Sequence, residues 1–446
     1  MATFSPVVVC VEGTKGAGKT STIASARALL EAEGWAVTLH AVFHEGNAWA
    51  VEQGFGGGVP MIEAGAEILG PWGWVLRRET WGFAVDADDG LWHLFSAAED
   101  EGKRYRLTAI EDRNRNRIAL SYEAGRLIEV KDSAGRIVRV VPTKEGRIGS
   151  IQVLNAVAQG RWIAFGTYAY DESGGLISVR DADGYVSSYA YDAEHRLTTD
   201  TDRTGLTFHF VYDREGRCVE SWGDYPGRKD PSLADDLPVL LADGKTRAKG
   251  IHHCRFDYMP GGYSEVADST QVRRFFGNKH GTLDKSVEGT SVTEAKYRKD
   301  GHLLSRTDAL GAITQFERDA RGRVIKRTDP LGRVTTVERD VYGLPMKVVD
   351  PAGWATTMVR DRYGNVEVFT DATGAVTCRR FDSRGQMVEL VAPNGVSTIC
   401  EYDTQGNLIA LTQPNGGMWR YTYDALGRRR MRIGAPQTRH GSPLRL

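Results

Sequence analysis

Two sets of glycines recur at a fixed spacing of 21 residues over the last third of the chain. Each member of the first set follows an aspartate by three residues, and the set is Gly322, Gly343, Gly364, Gly385, Gly406 and Gly427. The second set lies between these positions and is Gly311, Gly332, Gly353, Gly374, Gly395 and Gly416. A period this short indicates a repeat array in which each unit packs against its sequence neighbours, not a series of separate globular domains.

Each 21-residue unit predicts two β-strands and two tight turns. In the D-x-x-G turns, the aspartate accepts hydrogen bonds from backbone N–H groups ahead of it, and the glycine takes a positive φ, as we expect at Gly364. The runs between turns are short and rich in β-branched residues, as in RVTTVER (Arg333–Arg339). A glycine or proline every ten or eleven residues excludes long helices. The units therefore predict one antiparallel meander from about Gly301 to Gly427.

The same pattern occurs earlier in the chain, with an aromatic residue before the aspartate. Asp171, Asp192 and Asp213 are 21 residues apart, and the aromatic residues at this position across the chain are Tyr170, Tyr191, Tyr212, Phe381, Tyr402 and Tyr423. A tyrosine there can lay its ring on the neighbouring strand while its hydroxyl reaches a polar group. Acid–base catalysis needs one special environment, not many equivalent ones, so we predict a structural role and no catalytic residues.

Composition excludes several other functions. The 446-residue chain has a net charge of −1 and a pI near 6.8, which gives no basic field for nucleic acid. The five cysteines are far apart, which favours reduced thiols and no metal site. The amino terminus lacks the pattern of a signal peptide, and no apolar run is long enough to span a bilayer. We therefore expect synthesis in the cytoplasm, with any export left to dedicated machinery.

The repeats resemble a known family, the Rhs or YD-repeat proteins. The motif Y-D-x-x-G-R-L is matched by YDAEHRL (Tyr191–Leu197), YDREGR (Tyr212–Arg217), YDTQGNL (Tyr402–Leu408) and YDALGR (Tyr423–Arg428). TDPLGRVT (Thr328–Thr335) resembles the second motif of the family, and Tyr105–Arg136 is similar to the front of an Rhs shell. The resemblance covers roughly residues 70–446.

The resemblance implies a β-strand spiral that forms a hollow shell around a toxic carboxy-terminal cargo. Such shells are polymorphic toxins of interbacterial competition, and many are delivered on the spike of a type VI secretion system. The family's self-cleavage motif and its toxin are not found in this sequence, so we expect an incomplete, non-enzymatic scaffold without its cargo. Because the last strands leave an open sheet edge, we also expect self-association through such edges.

A second motif stands at the head of the chain. EGTKGAGKTS (Glu12–Ser21) fits the phosphate-binding P-loop and is similar to that of thymidylate kinase-like enzymes. If the loop is functional, ATP with Mg²⁺ would be held by five residues: Gly13, Gly16, Gly18, Lys19 and Thr20. The alternative function is therefore a nucleotide-binding protein or kinase with a β-repeat appendage.

The surrounding sequence does not support that alternative. A P-loop fold needs a covered parallel sheet and a second acidic residue for the metal, and the nearest candidate, Asp86, lies in FAVDADDGLWHLF, which reads as a hairpin. We predict that the loop performs no catalysis. A third possibility, a carbohydrate-binding YD-repeat protein, has no aromatic cluster to support it.

These observations predict a mainly β protein, a YD-repeat β-strand spiral with a small amino-terminal α/β segment. We predict a P-loop-like segment at 1–69, a shell region with YD repeats at 70–222, an irregular, plug-like insertion at 223–290 and the strict repeat array at 291–446. Within the insertion, His252, His253 and Cys254 are adjacent. Because neighbouring strand residues point to opposite faces, we do not expect them to chelate one metal ion.

Overall fold

The computed structural model describes residues 63–69, 75–86, 90–97, 105–227, 239–278, 282–299 and 301–434. The predicted P-loop residues, from Gly13 to Thr20, lie outside these ranges, as does most of the predicted α/β segment 1–69. Among the described residues, no helix has the length and hydropathy needed to cross a membrane.

The described chain is built mainly of β-strands joined by short turns. The first group is β1 Glu67–Leu69, β2 Val75–Glu79, β3 Gly82–Asp86, β4 Leu91–Ala97, β5 Tyr105–Asp112, β6 Arg117–Glu123, β7 Arg126–Asp132, β8 Ile137–Pro142, β9 Ile148–Leu154 and β10 Ile163–Tyr170. The second is β11 Leu176–Asp181, β12 Val186–Tyr191, β13 Leu197–Thr201, β14 Thr207–Tyr212, β15 Cys218–Asp224, β16 Ile251–Met259, β17 Tyr263–Ala267, β18 Val272–Gly277, β19 Leu283–Glu288 and β20 Ser291–Tyr297. A single 3₁₀ turn, Ala156–Ala158, lies between β9 and β10.

The remaining strands form the region we call the repeat array, β21–β33. They are β21 Leu303–Thr307, β22 Ile313–Arg318, β23 Val324–Thr328, β24 Val334–Arg339, β25 Pro345–Val349, β26 Ala355–Arg360, β27 Val366–Thr370, β28 Val376–Phe381, β29 Met387–Val391, β30 Ser397–Tyr402, β31 Leu408–Thr412, β32 Met418–Tyr423 and β33 Arg429–Gly434. Each 21-residue unit contributes two of these strands and two turns, which confirms the prediction from the glycine spacing.

Every strand pairs antiparallel with the next strand in the sequence, from β1 to β33. The result is one continuous meander, and the predicted mainly β repeat fold is confirmed. The sheet also continues through residues 251–288, where the 21-residue spacing is absent but β16–β19 pair regularly.

The register of the repeat array separates its two faces. One face carries ion pairs between adjacent strands, Lys326 with Glu317, Lys347 with Glu338 and Arg380 with Glu389, with N–O distances of 2.7 to 3.0 Å. The other face carries cross-strand apolar pairs such as Val337 with Val348, Met358 with Phe369 and Cys400 with Leu411. Because side chains alternate along a strand, the fixed period keeps both sets in line from unit to unit.

A packed hydrophobic core lies in a different part of the sheet. It is formed by side chains of β2–β9 together with one residue of the repeat array, and its members are Leu76, Phe83, Val85, Phe95, Tyr105, Leu107, Leu120, Leu127, Val130, Val138, Val140, Ile151, Val153 and Leu426. Leu426 belongs to the turn between β32 and β33, so the last turn of the repeat array packs on the core formed by β2–β9.

Candidate functional site

The Asp–Gly turn is the element that the chain repeats most often. In the turn after β22, the Gly322 N–H donates to the Asp319 carbonyl at 3.0 Å, and the Asp319 N–H donates to the Arg323 carbonyl at 2.9 Å. The Asp319 carboxylate accepts from the N–H groups of Arg321 and Arg323, each at 2.9 Å. Gly322 has a φ of 83°. This is a type I turn closed by a left-handed glycine, as D-x-x-G predicts.

The electrostatics of these turns point to structure, not catalysis. Burial acts to raise the pKa of Asp319, but hydrogen bonds and the charge of Arg323 outweigh it, so that the pKa is lowered. At Asp371 the Thr373 hydroxyl and backbone N–H groups lower the pKa of the carboxyl. A lowered pKa keeps each carboxylate charged and hydrogen-bonded at neutral pH. Asp319 and Asp371 therefore hold their turns as charged carboxylates, which is a structural role.

In the units that carry a tyrosine before the turn aspartate, this tyrosine ties neighbouring strands together. The Tyr402 hydroxyl donates to the Met387 carbonyl at 3.0 Å, and Tyr423 donates to the Leu408 carbonyl at 2.8 Å. Tyr170, Tyr191 and Tyr212 make the same bond to a strand carbonyl. The predicted structural role of the tyrosines is therefore confirmed. Each hydroxyl satisfies a carbonyl beyond the end of the regular ladder, where the two strands separate.

Sequence reasoning missed that arginine takes this position in three units. Arg318 donates to the Leu303 carbonyl at 2.7 Å, Arg339 to Val324 at 2.9 Å and Arg360 to Pro345 at 2.9 Å. Each acceptor lies 15 residues before its donor, as it does for Tyr402 and Tyr423. The signal was present, because these arginines occupy the 21-residue position of the tyrosines. Except at Phe381, the units from Arg318 to Tyr423 therefore carry a long side chain with a donor at its tip here.

The sheet is wound so that its two edges meet. Each edge in this sense is a row of turns at one end of the strands. We call edge A the row of connections that follow odd-numbered strands, and edge B the row that follow even-numbered strands. Between them, Asp86 pairs with Arg321 at 2.8 Å, Asn116 donates to the Arg384 carbonyl at 2.8 Å, and Asp183 pairs with Arg428 at 2.6 Å. Asn155 also donates to the Ala425 carbonyl. We call this line of contacts the seam.

The order of the seam contacts describes a spiral. The turn after β3 meets the turn after β22, the turn after β5 meets that after β28, and the connection after β9 meets the turn after β32. The partners advance in the same direction along both edges, so about 20 strands complete one winding. Where the edges approach, a Cβ on Gly385 would lie 2.7 Å from Asn114. The repeat array thus forms a second winding stacked on the first.

The other predicted site residues have these surroundings. Asp86 ends β3 and lies in a hairpin with β4, as the sequence indicated, and its carboxylate is held by Arg321. His253 is buried beside Glu220, with 2.9 Å between Nε2 and Oε1, and its Nδ1 accepts from the Lys249 N–H at 3.1 Å. His252 has a φ of 50°. The prediction of weak or absent nucleotide binding at Gly13, Gly16, Gly18, Lys19 and Thr20 concerns residues outside the described ranges and stays a prediction.

A family model supports the interpretation of the repeats. The model described as RHS Repeat matches residues 170–207, 191–221, 297–334, 318–357 and 402–439. These segments contain the Tyr–Asp turns described above and the turns that follow Arg318 and Arg339, and they cover about a third of the chain. No curated protein matches the chain in sequence.

Solved structures show a similar fold at low sequence identity. The crystal structure of TcdB2-TccC3-TEV is 14% identical with a TM-score of 0.50, and the match covers 93% of this chain and 24% of that one. TcdB2-TccC3 is 13% identical with a TM-score of 0.50, over 81% and 22% of the two chains. The Photorhabdus luminescens Tc holotoxin pore is 13% identical with a TM-score of 0.47, over 81% and 25%. The chain thus spans about a quarter of the length of these structures.

Proposed function

We propose that this chain, an RHS-repeat protein, forms part of the wall of a hollow β-repeat shell that encloses a polypeptide cargo. Its described residues form repeated turns held by charged carboxylates such as those of Asp319 and Asp371, so the proposal assigns it a scaffold role. The chain spans about a quarter of the structures it resembles, and the rest of such a shell would come from further repeat sequence.

The seam is the observation that carries this proposal. A meander held only by neighbouring strands could remain an open ribbon, since each strand needs just the next one for its hydrogen bonds. Here the contacts from Asp86 to Arg321 and from Asp183 to Arg428 hold a second winding against the first. A ribbon wound in this way forms a continuous wall, and a wall with an inside is what an enclosing function requires.

The kind of cargo is proposed by analogy with the structural relatives. They are named as parts of a Tc holotoxin and of TcdB2-TccC3 assemblies. By analogy, the cargo proposed for this chain is a toxic polypeptide, and further subunits would carry the loaded shell. Delivery on a type VI-like spike, a role in competition between bacteria and export from the cytoplasm are finer parts of the same proposal.

Small-angle X-ray scattering on the purified chain tests the wound wall. We expect the particle size of a spiral with two stacked windings, and a larger radius of gyration for Asp86→Arg combined with Asp183→Arg, because like charges would then face each other across the seam. Glu317→Arg is the matched control, since it breaks an exposed ion pair with Lys326 within the sheet. An extended ribbon for the unmodified chain would contradict the proposal.

The cargo requires a separate experiment. The coding DNA that follows this chain is expected to continue in frame through more repeats into a toxic domain. Co-expression of that domain with the complete wall should protect it from added protease. A cargo that is cleaved as fast with the wall as without it would contradict the enclosing function, even if the spiral is confirmed.

A further inference from the structure

A cavity of about 570 Å³ lies across the seam, between edge A of the first winding and edge B of the repeat array. Gly90 and Arg113 line it from the first winding. From the repeat array it is lined by the cationic or titratable side chains Arg318, Arg321, Arg323, Arg339 and His302. Five guanidinium groups thus border one cavity, and none of the described residues that line it is acidic.

The nearby carboxylates compensate only some of this charge. Arg321 pairs with Asp86 at 2.8 Å, and Arg323 pairs with Asp319 at 2.7 Å. Arg339 instead donates to two carbonyl oxygens, at Val324 and at Gly343, each at 2.9 Å. Among the described residues, Arg113 has no ion pair. At least two of the positive charges therefore lack a carboxylate partner in the described part of the chain.

The pKa of the neighbouring Arg360 is also affected by the positive charge near the cavity. Burial lowers the pKa of Arg360, Asp340 acts in the opposite direction, and the charge of Arg113 lowers it further. Arg113 belongs to the first winding and Arg360 to the second, so like charges approach each other across the seam. Such an arrangement is unfavourable in the absence of a counter-ion, and it becomes favourable when an anion lies between the windings.

The cavity is also suited to an anion in shape. Its volume falls within the usual range for small-molecule sites and exceeds what one phosphate would fill. Three hydrogen bonds to backbone carbonyls fix the guanidinium of Arg339, and its terminal nitrogens keep further N–H groups for a ligand. Arginine is the side chain best suited to bind phosphate oxygens in pairs.

We propose that this seam cavity binds a small multivalent phosphate, of the di- or triphosphate class, which bridges the two windings of the shell wall. The ligand would contact Arg113 from the first winding and Arg339 from the second. It would thereby stabilise the seam as well as occupy the cavity. This site lies far along the sequence from the predicted P-loop and does not depend on the identity of the cargo.

Calorimetric titration of inorganic triphosphate into the full chain tests the site, with inorganic phosphate and sulfate as weaker competitors. We expect Arg113→Gln to weaken binding of triphosphate about tenfold or more, since it removes one charge-assisted hydrogen bond. Arg339→Gln should weaken it at least as much. Arg333→Gln is the matched control, because Arg333 pairs with Asp329 in an edge A turn outside the cavity. Lys19→Ala distinguishes binding at the amino-terminal loop from binding in the cavity, and the affinity of the cavity for triphosphate should remain unchanged in this variant.

Two further results keep the test decisive. Triphosphate should raise the melting temperature of the unmodified chain and of Lys19→Ala, but not that of Arg113→Gln. Arg113 makes no hydrogen bond to the backbone in the described chain, so this variant should fold normally by circular dichroism. Equal affinity in Arg113→Gln and the unmodified chain, or no binding at millimolar triphosphate in low salt, would overturn the proposal.

Discussion

The core region of β2–β9 and the repeat array of β21–β33 belong to one sheet but are stabilised differently. Thirteen core residues come from β2–β9, whereas the described repeat array buries few apolar side chains, namely Cys400, Ala410 and Leu426. In their place the array has a hydrogen-bonded turn at every tenth or eleventh residue and ion pairs on one face. The strictly periodic repeat array is therefore stabilised by local contacts, whereas the region of β2–β9, with its irregular sequence, is stabilised by a packed core.

The difference teaches how a sheet this long can be encoded. A packed core needs side chains of matched shape, and each position then depends on distant neighbours. A turn such as Asp319–Arg323 is complete within five residues, so the same sequence can be used again without regard to what lies further away. The packed core stabilises one part of the spiral, and the repeats lengthen the sheet by adding units with the same local turns.

The largest expected effect comes from removing a core side chain. Leu107 is 3% exposed, and Leu107→Ala should lower the free energy of unfolding by about 3 kcal/mol through lost burial and a cavity. Leu390, half-buried on the apolar face of the repeat array, is the matched site, and Leu390→Ala should cost about 1 kcal/mol. Urea unfolding followed by circular dichroism measures both. Equal losses at the two sites would remove the distinction between core and array.

Glycine substitutions sharpen the comparison within the array. Gly353 and Gly364 have φ values of 87° and 94°, which a side chain rarely adopts. A Cβ on Gly353 would meet open space, whereas one on Gly364 would lie 2.8 Å from Leu344 and 3.4 Å from Arg113. We expect Gly353→Ala to cost about 1 kcal/mol and Gly364→Ala about 2 kcal/mol.

The same urea experiment measures these losses, and their difference measures the added contacts at Gly364, with Leu344 in the same winding and with Arg113 across the seam. Both variants share the left-handed strain, but the contact with Arg113 exists at Gly364 and not at Gly353. If Gly353→Ala were as destabilising as Gly364→Ala, the cost would be local to each turn, and neither the contact with Leu344 nor the contact with Arg113 would contribute.

The sequence predicted what is local and missed what depends on curvature. The Asp–Gly turns, the hairpin at Asp86 and the hydroxyl bonds of Tyr402 and Tyr423 follow from residues close in the chain or one unit apart. The seam does not, because the pairing of Asp183 with Arg428 depends on the summed twist of some twenty strands. The spacing of residues along the sequence does not reveal this accumulated twist. The arginine cavity was missed for the same reason.

In the middle of the chain, regular strand pairing occurs without a regular sequence pattern. Irregular spacing at 223–290 suggested an insertion, but strands can pair without a repeat in their sequence, and β16–β19 continue the ladder.

Arg318, Arg339 and Arg360 occupy the position that tyrosine takes in other units, and this is visible in the sequence. They were overlooked because aromatic character, and not the donor at the tip of the side chain, was taken as the shared property.

A smaller effect is expected at the tyrosine position. Burial and the nearby Cys400 raise the pKa of Tyr402 from 10.0 to about 12. A folded-state pKa above the unfolded value means that stability present below pH 10 is lost as the pH rises towards 12. Tyr402→Phe should remove part of this alkaline loss, and at neutral pH it should cost about 1 kcal/mol because the bond to the Met387 carbonyl is absent.

Urea midpoints at pH 7 and at pH 11 measure both parts of this expectation. Tyr421→Phe is the matched control, since Tyr421 lies on β32, two residues before Tyr423, and its hydroxyl makes no hydrogen bond among the described residues. A pH profile for Tyr402→Phe that coincides with that of the unmodified chain would show that Tyr402 does not contribute to the alkaline transition.

The smallest effect on the wall is expected from Lys19→Ala. The turns, the ladder and the seam described above are formed by residues from Glu63 onwards, and we expect the urea midpoint to remain unchanged. Phosphoryl transfer needs a second acidic residue for Mg²⁺ and a positioned acceptor besides a lysine, and Asp86, the nearest candidate in the sequence, is paired with Arg321. We therefore expect no ATP hydrolysis by the full chain. ATP hydrolysis that disappears in Lys19→Ala would make the kinase alternative the better account of the amino-terminal segment, while the β-repeat wall would stand on its own contacts.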